Sequence, residues 1–322
     1  MNAAPLVTFG LMFHNQRRYA RAALAGAFAQ TYRPLELIIA DDCSTDGTAE
    51  EISAFLAGHD AAAADFTVRY VHSERNLGDV GNWERLLALA HGVLVVKADG
   101  DDVSRPERTA RIVAAYLADG AEAMLVCHSG YQIGPRGERY GRLRRVNADW
   151  PLGAAMAVSP KLLELFGPVA DGHIGDDEIY NRRALMAGRV LEIGDRLIDY
   201  RLGTGASTAL WNLRRQLAFC LRESRATIEV SLRDAERLMP VAREEWRRRL
   251  ELRREQVEAK AALVESRSFR ERLAAFRRLG GRSAFSVAAY LKLAFLLPRP
   301  LGAPMLFAYV LGRNALRRLG VI

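Results

Sequence analysis

The chain has 322 residues, 50% hydrophobic and 26% charged, enough for a sizeable core in one large or two smaller domains and unlike collagen, low-complexity or disordered sequence. The formal net charge of +8 is unevenly spread: residues 1–209 carry 22 basic and 27 acidic side chains, whereas residues 210–322 carry 24 and 11. The two parts are therefore expected to meet different partners, the second an anionic one such as nucleic acid or a membrane surface.

The chain opens without a basic stretch or a cleavage site, so no signal peptide is expected. A strand is predicted at Leu6–Met12, a helix at Arg17–Gln30, a strand at Leu35–Ala40, a helix at Thr48–Leu56 and a strand at Phe66–Val71. The pattern continues with a helix at Val80–Ala90, a strand at Val93–Lys97, a helix at Pro106–Leu117 and a strand at Met124–Cys127. The strands are short apolar runs, and the helices carry the longer amphipathic spacing. Such alternation predicts an α/β fold with a largely parallel sheet. The three cysteines, Cys43, Cys127 and Cys220, lie far apart, which argues against a disulfide framework or zinc site and for a reducing compartment. After a further helix at Ile179–Ala187 the character changes. Trp211–Leu238 and Val241–Leu279 read as helices rich in Arg and Glu, separated by Pro240. Ala284–Leu297 and Pro304–Leu319 are apolar but too short and interrupted to span a bilayer. They read as interfacial helices lying on a membrane, with a packed helical subdomain as the alternative.

Ligands of open α/β sheets bind beyond the carboxyl ends of the strands, and the polar residues fall there. His14 and Asn15 follow the first strand, Asp41 and Asp42 the second, Arg75 and Asn76 the third, and Asp99, Asp101 and Asp102 the fourth. Three carboxylates in Asp99-Gly100-Asp101-Asp102 repel one another unless a cation or hydrogen-bond donors meet them. A hard cation bridging one or two of them to substrate phosphates suits that chemistry. On spacing alone a solvated acidic turn before Pro106 stands level with it. Asp42 can accept from a nucleobase N–H or a ribose hydroxyl, whereas Asp46, Ser44 and Thr45 suit capping of the helix at Thr48. His14 can stack on a base, or be an ordinary polar residue. Asp176-Asp177-Glu178 either caps a helix or offers a general base whose pKa is raised by like charges. Gly203-Thr204-Gly205 lacks the third glycine of a dinucleotide fingerprint, and no phosphate-binding loop of the G-x-x-x-x-G-K-[ST] type occurs.

Taken together, residues 1 to about 205 resemble glycosyltransferase family 2, with the GT-A fold. Val7 to Asn15 stands where the family opens. Gln30-Thr31-Tyr32 with Glu36-Leu37-Ile38-Ile39 is similar to a family stretch, and Asp41-Asp42-x-Ser44-Thr45-Asp46-Gly47-Thr48 to its nucleotide-binding turn. Arg75-Asn76-Leu77-Gly78 matches an Asn-x-Gly loop, Asp99-Gly100-Asp101-Asp102 the DxD-type site, Asp176-Asp177 the family's Glu-Asp, and Tyr200-Arg201 a Tyr-Arg pair. The resemblance implies sugar transfer from a nucleotide-diphosphate sugar, UDP- or dTDP-linked, to an acceptor hydroxyl with inversion. It implies that His14, Asn15, Asp42, Arg75 and Asp99 bind the nucleotide sugar and that Asp101 and Asp102 hold Mn²⁺ or Mg²⁺. Asp177 would be the general base and Asp176 part of the acceptor site. His14 departs from the usual Tyr, Asp176 from Glu, and Gly203 from a frequent His.

The sequence thus divides into an expected GT-A domain over 1–209 and a basic α-helical region over 210–322. The second part suggests peripheral membrane contact and a glycan or lipid-linked acceptor in surface polysaccharide assembly, at the cytoplasmic face of the membrane. It carries no nucleic-acid module. A nucleotidyltransferase is the competing enzyme, although Phe13-His14-Asn15-Gln16-Arg17 lacks its glycine-rich loop. A catalytically silent GT-A scaffold is the competing non-enzyme.

Overall fold

A computed structural model describes residues 4–59, 65–143, 152–169, 175–202, 204 and 213–279. These residues fall into two compact units, one ending at Leu202 and one beyond it.

The first unit opens with β1 (Val7–Phe13), α1 (Arg17–Phe28), β2 (Leu35–Asp41), α2 (Thr48–Ala57), β3 (Phe66–His72), α3 (Gly78–Leu89) and β4 (Val95–Asp99). All seven residues of β1 and of β2 are buried, as continuous apolar runs in a sheet covered on both faces must be. One face carries Phe9, Leu11 and Phe13 into a core with Ala20 and Leu24 of α1 and Phe55 of α2. On the other, Gly10 lies under Leu86 of α3, so close that a Cβ would fall 2.6 Å from its Cδ2. The strands β3, β2, β1 and β4 lie side by side and parallel. Their register aligns Phe13 with Asp41, Asp41 with His72, and Met12 with Asp99. Four strand ends therefore finish at one edge, and chain order reverses between β1 and β4, where a ligand crevice forms.

The rest of the unit is less regular. It comprises β5 (Val103–Ser104), α4 (Arg108–Ala118), β6 (Ala123–Ile133), β7 (Arg139–Arg142), a 3₁₀ turn (Gly153–Ala155), β8 (Met156–Val158), α5 (Lys161–Phe166), α6 (Asp176–Ala187) and β9 (Arg189–Arg201). The sheet continues β4-β8-β6-β9-β5, with β8 antiparallel to both β4 and β6. The expected alternation ends at β6. β8 and β5 are too short to show a period, and the thirteen residues of β9 are rich in charge and only partly buried. Sequence reading therefore passed over β5, β7, β8 and β9.

The second unit comprises α7 (Leu213–Ala235), α8 (Pro240–Glu265) and α9 (Phe269–Arg278), with α7 and α8 packed through Leu221, Ile228, Val257 and Ala261. The single helix expected over Val241–Leu279 is two. Ser268 accepts from Glu271 N–H at 3.4 Å and starts α9, and Ser266 Oγ donates to the Glu271 carboxylate at 2.5 Å. This Ser-x-x-Glu capping arrangement is legible in the sequence. Among the described residues no helix is long and apolar enough to cross a membrane. The expected interfacial helices at Ala284–Leu297 and Pro304–Leu319, and Gly203, lie outside the described residues.

Candidate active site

The ends of β1 and β2 are laced together by short polar side chains. Asn15 sits in the left-handed region at φ 54°, which Asn tolerates better than most residues. Its N–H donates to Ser44 Oγ at 2.8 Å, and its Oδ1 accepts from Thr45 N–H at 2.8 Å. His14 Nε2 lies 3.1 Å from Asn15 Nδ2 and 3.2 Å from Asn76 Nδ2, while Nδ1 lies 2.7 Å from the Asp42 carbonyl. Both amide nitrogens are donors, so Nε2 accepts and Nδ1 carries the proton, an assignment drawn from the hydrogen-bond network. The ring stands exposed beside Asn76, whose chain neighbour Arg75 is also exposed. His14, Asn15 and Arg75 thus share one rim.

Asp42 is buried, and its carboxylate accepts from Leu77 N–H at 2.7 Å and Gly78 N–H at 3.0 Å. It therefore caps the start of α3, far along the chain from itself, and φ of 77° at Gly78 allows the tight entry. Asp46 meets the first residues of two helices, accepting from Thr48 N–H of α2 at 3.0 Å and from Arg17 N–H of α1 at 3.1 Å.

In the Asp99-Gly100-Asp101-Asp102 turn, Gly100 has no room for a side chain: a Cβ would fall 2.1 Å from Phe13 Cδ1. Asp99 reaches Lys97 Nζ at 2.5 Å, and Asp176 Oδ2 lies 3.4 Å from the same ammonium. Asp102 turns the other way, into the protein, where its Oδ1 accepts from Arg201 N–H at 2.7 Å and its Oδ2 is buried with no hydrogen-bond partner among the described residues. Burial, then the charges of Asp101 and Asp99, push the Asp102 pKa well up. Arg201 also holds the turn from outside, donating to the Asp101 carbonyl at 2.7 Å and the Gly134 carbonyl at 2.7 Å. Asp101 is buried beside it. Arg201 of the Tyr-Arg pair is thus a clamp on the acidic turn.

Asp176 and Asp177 occupy the first turn of α6, facing the Gly153 backbone: a Cβ there would lie 3.4 Å from Asp176 Oδ1, from Asp177 Cβ and from Lys97 Nζ. Burial, only partly offset by Lys97, pushes Asp176 up to about 7. Burial likewise raises Asp177, although its N-terminal helix position and the Glu178 N–H at 2.7 Å work against the shift. Asp79, in the first turn of α3, exposes part of its surface at the rim while protein packs closely around it. Burial raises its pKa, and Lys97, Asp99 and Asp42 are the charges it feels most. The helix α6 is moored to α3 by Glu84, which accepts from Val169 N–H at 2.9 Å, from Tyr180 OH at 3.1 Å and from Arg183 at 3.4 Å.

The structure brings Asp99, Asp176 and Asp177 around one ammonium, sets His14, Asn15, Asp42 and Arg75 along the neighbouring strand ends, and stacks Asp101 and Asp102 on β9. Sequence reading missed Lys97, Asp79 and Arg108. Lys97 had a signal, a lone cation inside the apolar run Val93–Ala98. Arg108 had none: it is fully buried, donates to the carbonyls of Lys97 at 2.6 Å and Ala154 at 2.8 Å, and binds neutral His128 at 2.9 Å. Burial without a contacting carboxylate lowers its pKa to about 9.

Among the described residues no three His, Cys, Asp or Glu side chains gather as a self-contained metal cage. A cation held by one or two carboxylates and completed by substrate phosphates needs none. Asp102 Oδ2, buried beside Asp101 without a hydrogen-bond partner among the described residues, is an acceptor that a cation would satisfy, on the inner side of the turn rather than in the crevice.

The family model described as "Glycosyl transferase family 2" matches residues 8–175. EpsE of Bacillus subtilis, a putative glycosyltransferase, is 30% identical over 114 residues, covering 35% of this chain and 39% of EpsE. ExoO of Rhizobium meliloti, a succinoglycan biosynthesis protein, is 30% identical over 122 residues, 38% of this chain and 33% of ExoO. The matches thus span two fifths or less of those two relatives. GlyG of Streptococcus pneumoniae, a glycosyltransferase, is 25% identical over 224 residues, 62% of this chain and 72% of GlyG. Among solved structures, S. aureus TarS 1–349 in complex with UDP-GlcNAc superposes with a TM-score of 0.57 at 14% identity, covering 93% of this chain and 88% of that one. The Pyrobaculum calidifontis mannosyltransferase PcManGT, in complex with GDP-Man and Mn²⁺, gives 0.56 at 19%, covering 98% and 87%. At those identities the likeness speaks for the fold, GT-A, while the family match runs over half the chain and through every strand end that carries the site. The chain belongs to glycosyl transferase family 2.

Proposed function

We propose that this glycosyltransferase moves a sugar from a nucleoside-diphosphate sugar to an acceptor hydroxyl with inversion at the anomeric carbon. The observation that carries the reading is the gathering of Asp99, Asp176 and Asp177 around Lys97 at the edge where β1 and β4 end, with Asp42 at the neighbouring end of β2. His14 flanks the nucleobase, with Asn15 and Arg75 on the same rim. Asp42 keeps a second lone pair on each oxygen beyond those used by Leu77 and Gly78, so it can hold α3 and accept a base N–H together. Asp99 binds the sugar nucleotide. Asp177 takes the proton of the acceptor hydroxyl, its raised pKa bringing its basicity toward the working pH, and Asp176 lines the acceptor side. Asp101 and Asp102 would hold Mn²⁺ or Mg²⁺, which supplies charge to the departing diphosphate; the complex of PcManGT with GDP-Man and Mn²⁺ supports that choice of partner.

The test is release of nucleoside diphosphate from UDP- and dTDP-sugars, picked by thermal shift with Mn²⁺ or Mg²⁺. Asp177→Asn is expected to lower kcat by about 10²–10⁴-fold, the usual worth of a general base, while nucleotide binding persists. Unchanged turnover would remove Asp177 from the role.

The division of labour between the part up to residue 209 and the part beyond it belongs to the same proposal. Within α7–α9 several arginines are paired with glutamates, such as Arg225 with Glu258 and Arg254 with Glu229. Residues 280–322 carry six basic and no acidic side chains. That segment is the better candidate for peripheral contact with an anionic membrane at its cytoplasmic face, where a lipid-linked or glycan acceptor of surface polysaccharide assembly is presented. Co-sedimentation with anionic liposomes that survives truncation at residue 279 would refute it.

A further inference from the structure

Lys97 places an ammonium where a central parallel strand ordinarily carries an apolar side chain. It is 3% exposed, and its Nζ lies 2.5 Å from Asp99 Oδ1 and 3.4 Å from Asp176 Oδ2. The hole around it is built from three elements. Arg108 fixes the Lys97 carbonyl and the Ala154 carbonyl of the 3₁₀ turn, and Gly153 approaches within a methyl's width of Nζ. The charged groups facing the ammonium are Asp99 from β4, Asp79 from α3, and Asp176 and Asp177 from α6. Burial opposes its charge, yet the Asp176 and Asp99 carboxylates hold it protonated. An apolar side chain of the same length would fill the hole without that desolvation cost, so stability does not by itself call for an ammonium. Without a cation the carboxylates of β4 and α6 are like charges that repel.

We propose that Lys97 is a positioning residue of the transfer reaction: its buried ammonium, shared by Asp99 and Asp176, sets the spacing between the donor-side and acceptor-side carboxylates. The proposal rests on the glycosyltransferase reading of this edge. It differs from that reading in assigning the geometry of the crevice to a side chain that touches neither substrate.

The experiment compares the full chain with Lys97→Met and Lys97→Arg, using UDP binding, nucleoside-diphosphate release from the donor that the wild type turns over, and crystal structures. Lys97→Met is expected to lower kcat about 10²-fold, as a misplacement of about 1 Å does, while its UDP affinity remains near that of the wild type. Its Asp99–Asp176 separation is expected to grow, and Lys97→Arg to recover most of the lost kcat. Wild-type kcat in Lys97→Met, or an unchanged carboxylate separation, overturns the proposal, and so does a loss in both variants that merely tracks the folded fraction. If Lys97→Met does not fold, Lys97→Gln is judged by the same measurements. A wild type that turns over no donor refutes the glycosyltransferase reading instead, and the carboxylate separation then decides on Lys97 alone.

Discussion

Replacing Asp42 by alanine removes both acceptors from the entry to α3. The Asp42 carboxylate is 3% exposed and receives the N–H groups of Leu77 and Gly78 at 2.7 and 3.0 Å. Hydrogen bonds to a charged acceptor are worth about 1.5–3 kcal/mol each, so losing two places the expected destabilisation of the free protein at about 3–6 kcal/mol. Asp42→Asn keeps one acceptor oxygen and turns an amide N–H toward the other donor, for a loss of about half that size. Urea unfolding followed by Trp83 fluorescence reads the right place, since Trp83 is buried in the same helix. Hydrogen exchange of the Leu77 and Gly78 amides reads the two bonds directly. A residue that served only the nucleobase would leave the stability of the ligand-free chain untouched. An Asp42→Ala loss below about 1 kcal/mol, less than one such bond, with unchanged exchange at both amides, would therefore refute the capping argument.

Three further outcomes are expected. Gly100→Ala puts a Cβ 2.1 Å from Phe13 Cδ1; with β1 unable to yield, differential scanning calorimetry should show a loss of about 1–3 kcal/mol, the usual cost of overpacking, and a Tm equal to wild type would show that the turn has room. Arg183→Met leaves Glu84 buried against neutral donors and should cost about 3–5 kcal/mol, as breaking a buried pair does, with a smaller loss in Glu84→Gln/Arg183→Met than the single changes sum to. Strict additivity of the two would deny the coupling. For Asp176, burial raises the folded-state pKa to about 7, above the unfolded carboxylate value. The folded chain therefore binds this proton more tightly, and the group's contribution is fully present below pH 4 and lost as pH rises toward 7. Asp176→Asn, which imitates the protonated form, should gain stability relative to wild type across that window. A stability difference that stays flat from pH 4 to pH 7 would contradict the assignment.

The strand ends that carry the site were legible because the physics there is local. A parallel strand buried on both faces is a mostly apolar run, so the runs Leu6–Met12, Leu35–Ala40 and Val93–Lys97 announce the strands Val7–Phe13, Leu35–Asp41 and Val95–Asp99, and the polar residues after each run lie at the sheet edge. Asp42 was the instructive partial case. It read as a nucleotide contact, while the helix at Thr48 had nearer caps; the helix it caps is α3, which the pairing of β2 with β3 brings alongside. Arg201 read as half of a motif, whereas the structure makes it a clamp on the Asp99–Asp102 turn, because β9 returns beside it.

The sequence by itself determined the alternation of strands and helices, the order of the acidic motifs and the change to basic helices after the α/β unit, all of which follow from burial period and charge within short windows. Only the tertiary structure decided that the three-residue β8 is inserted antiparallel between β4 and β6, that Asp102 points inward while Asp99 points to the crevice, and that Lys97 meets Asp176. Each of those depends on which distant segment fills the space next to a side chain. For a buried charge that neighbour sets the desolvation, the partner and the protonation state, and it is fixed by packing across the sheet rather than by any local run of residues.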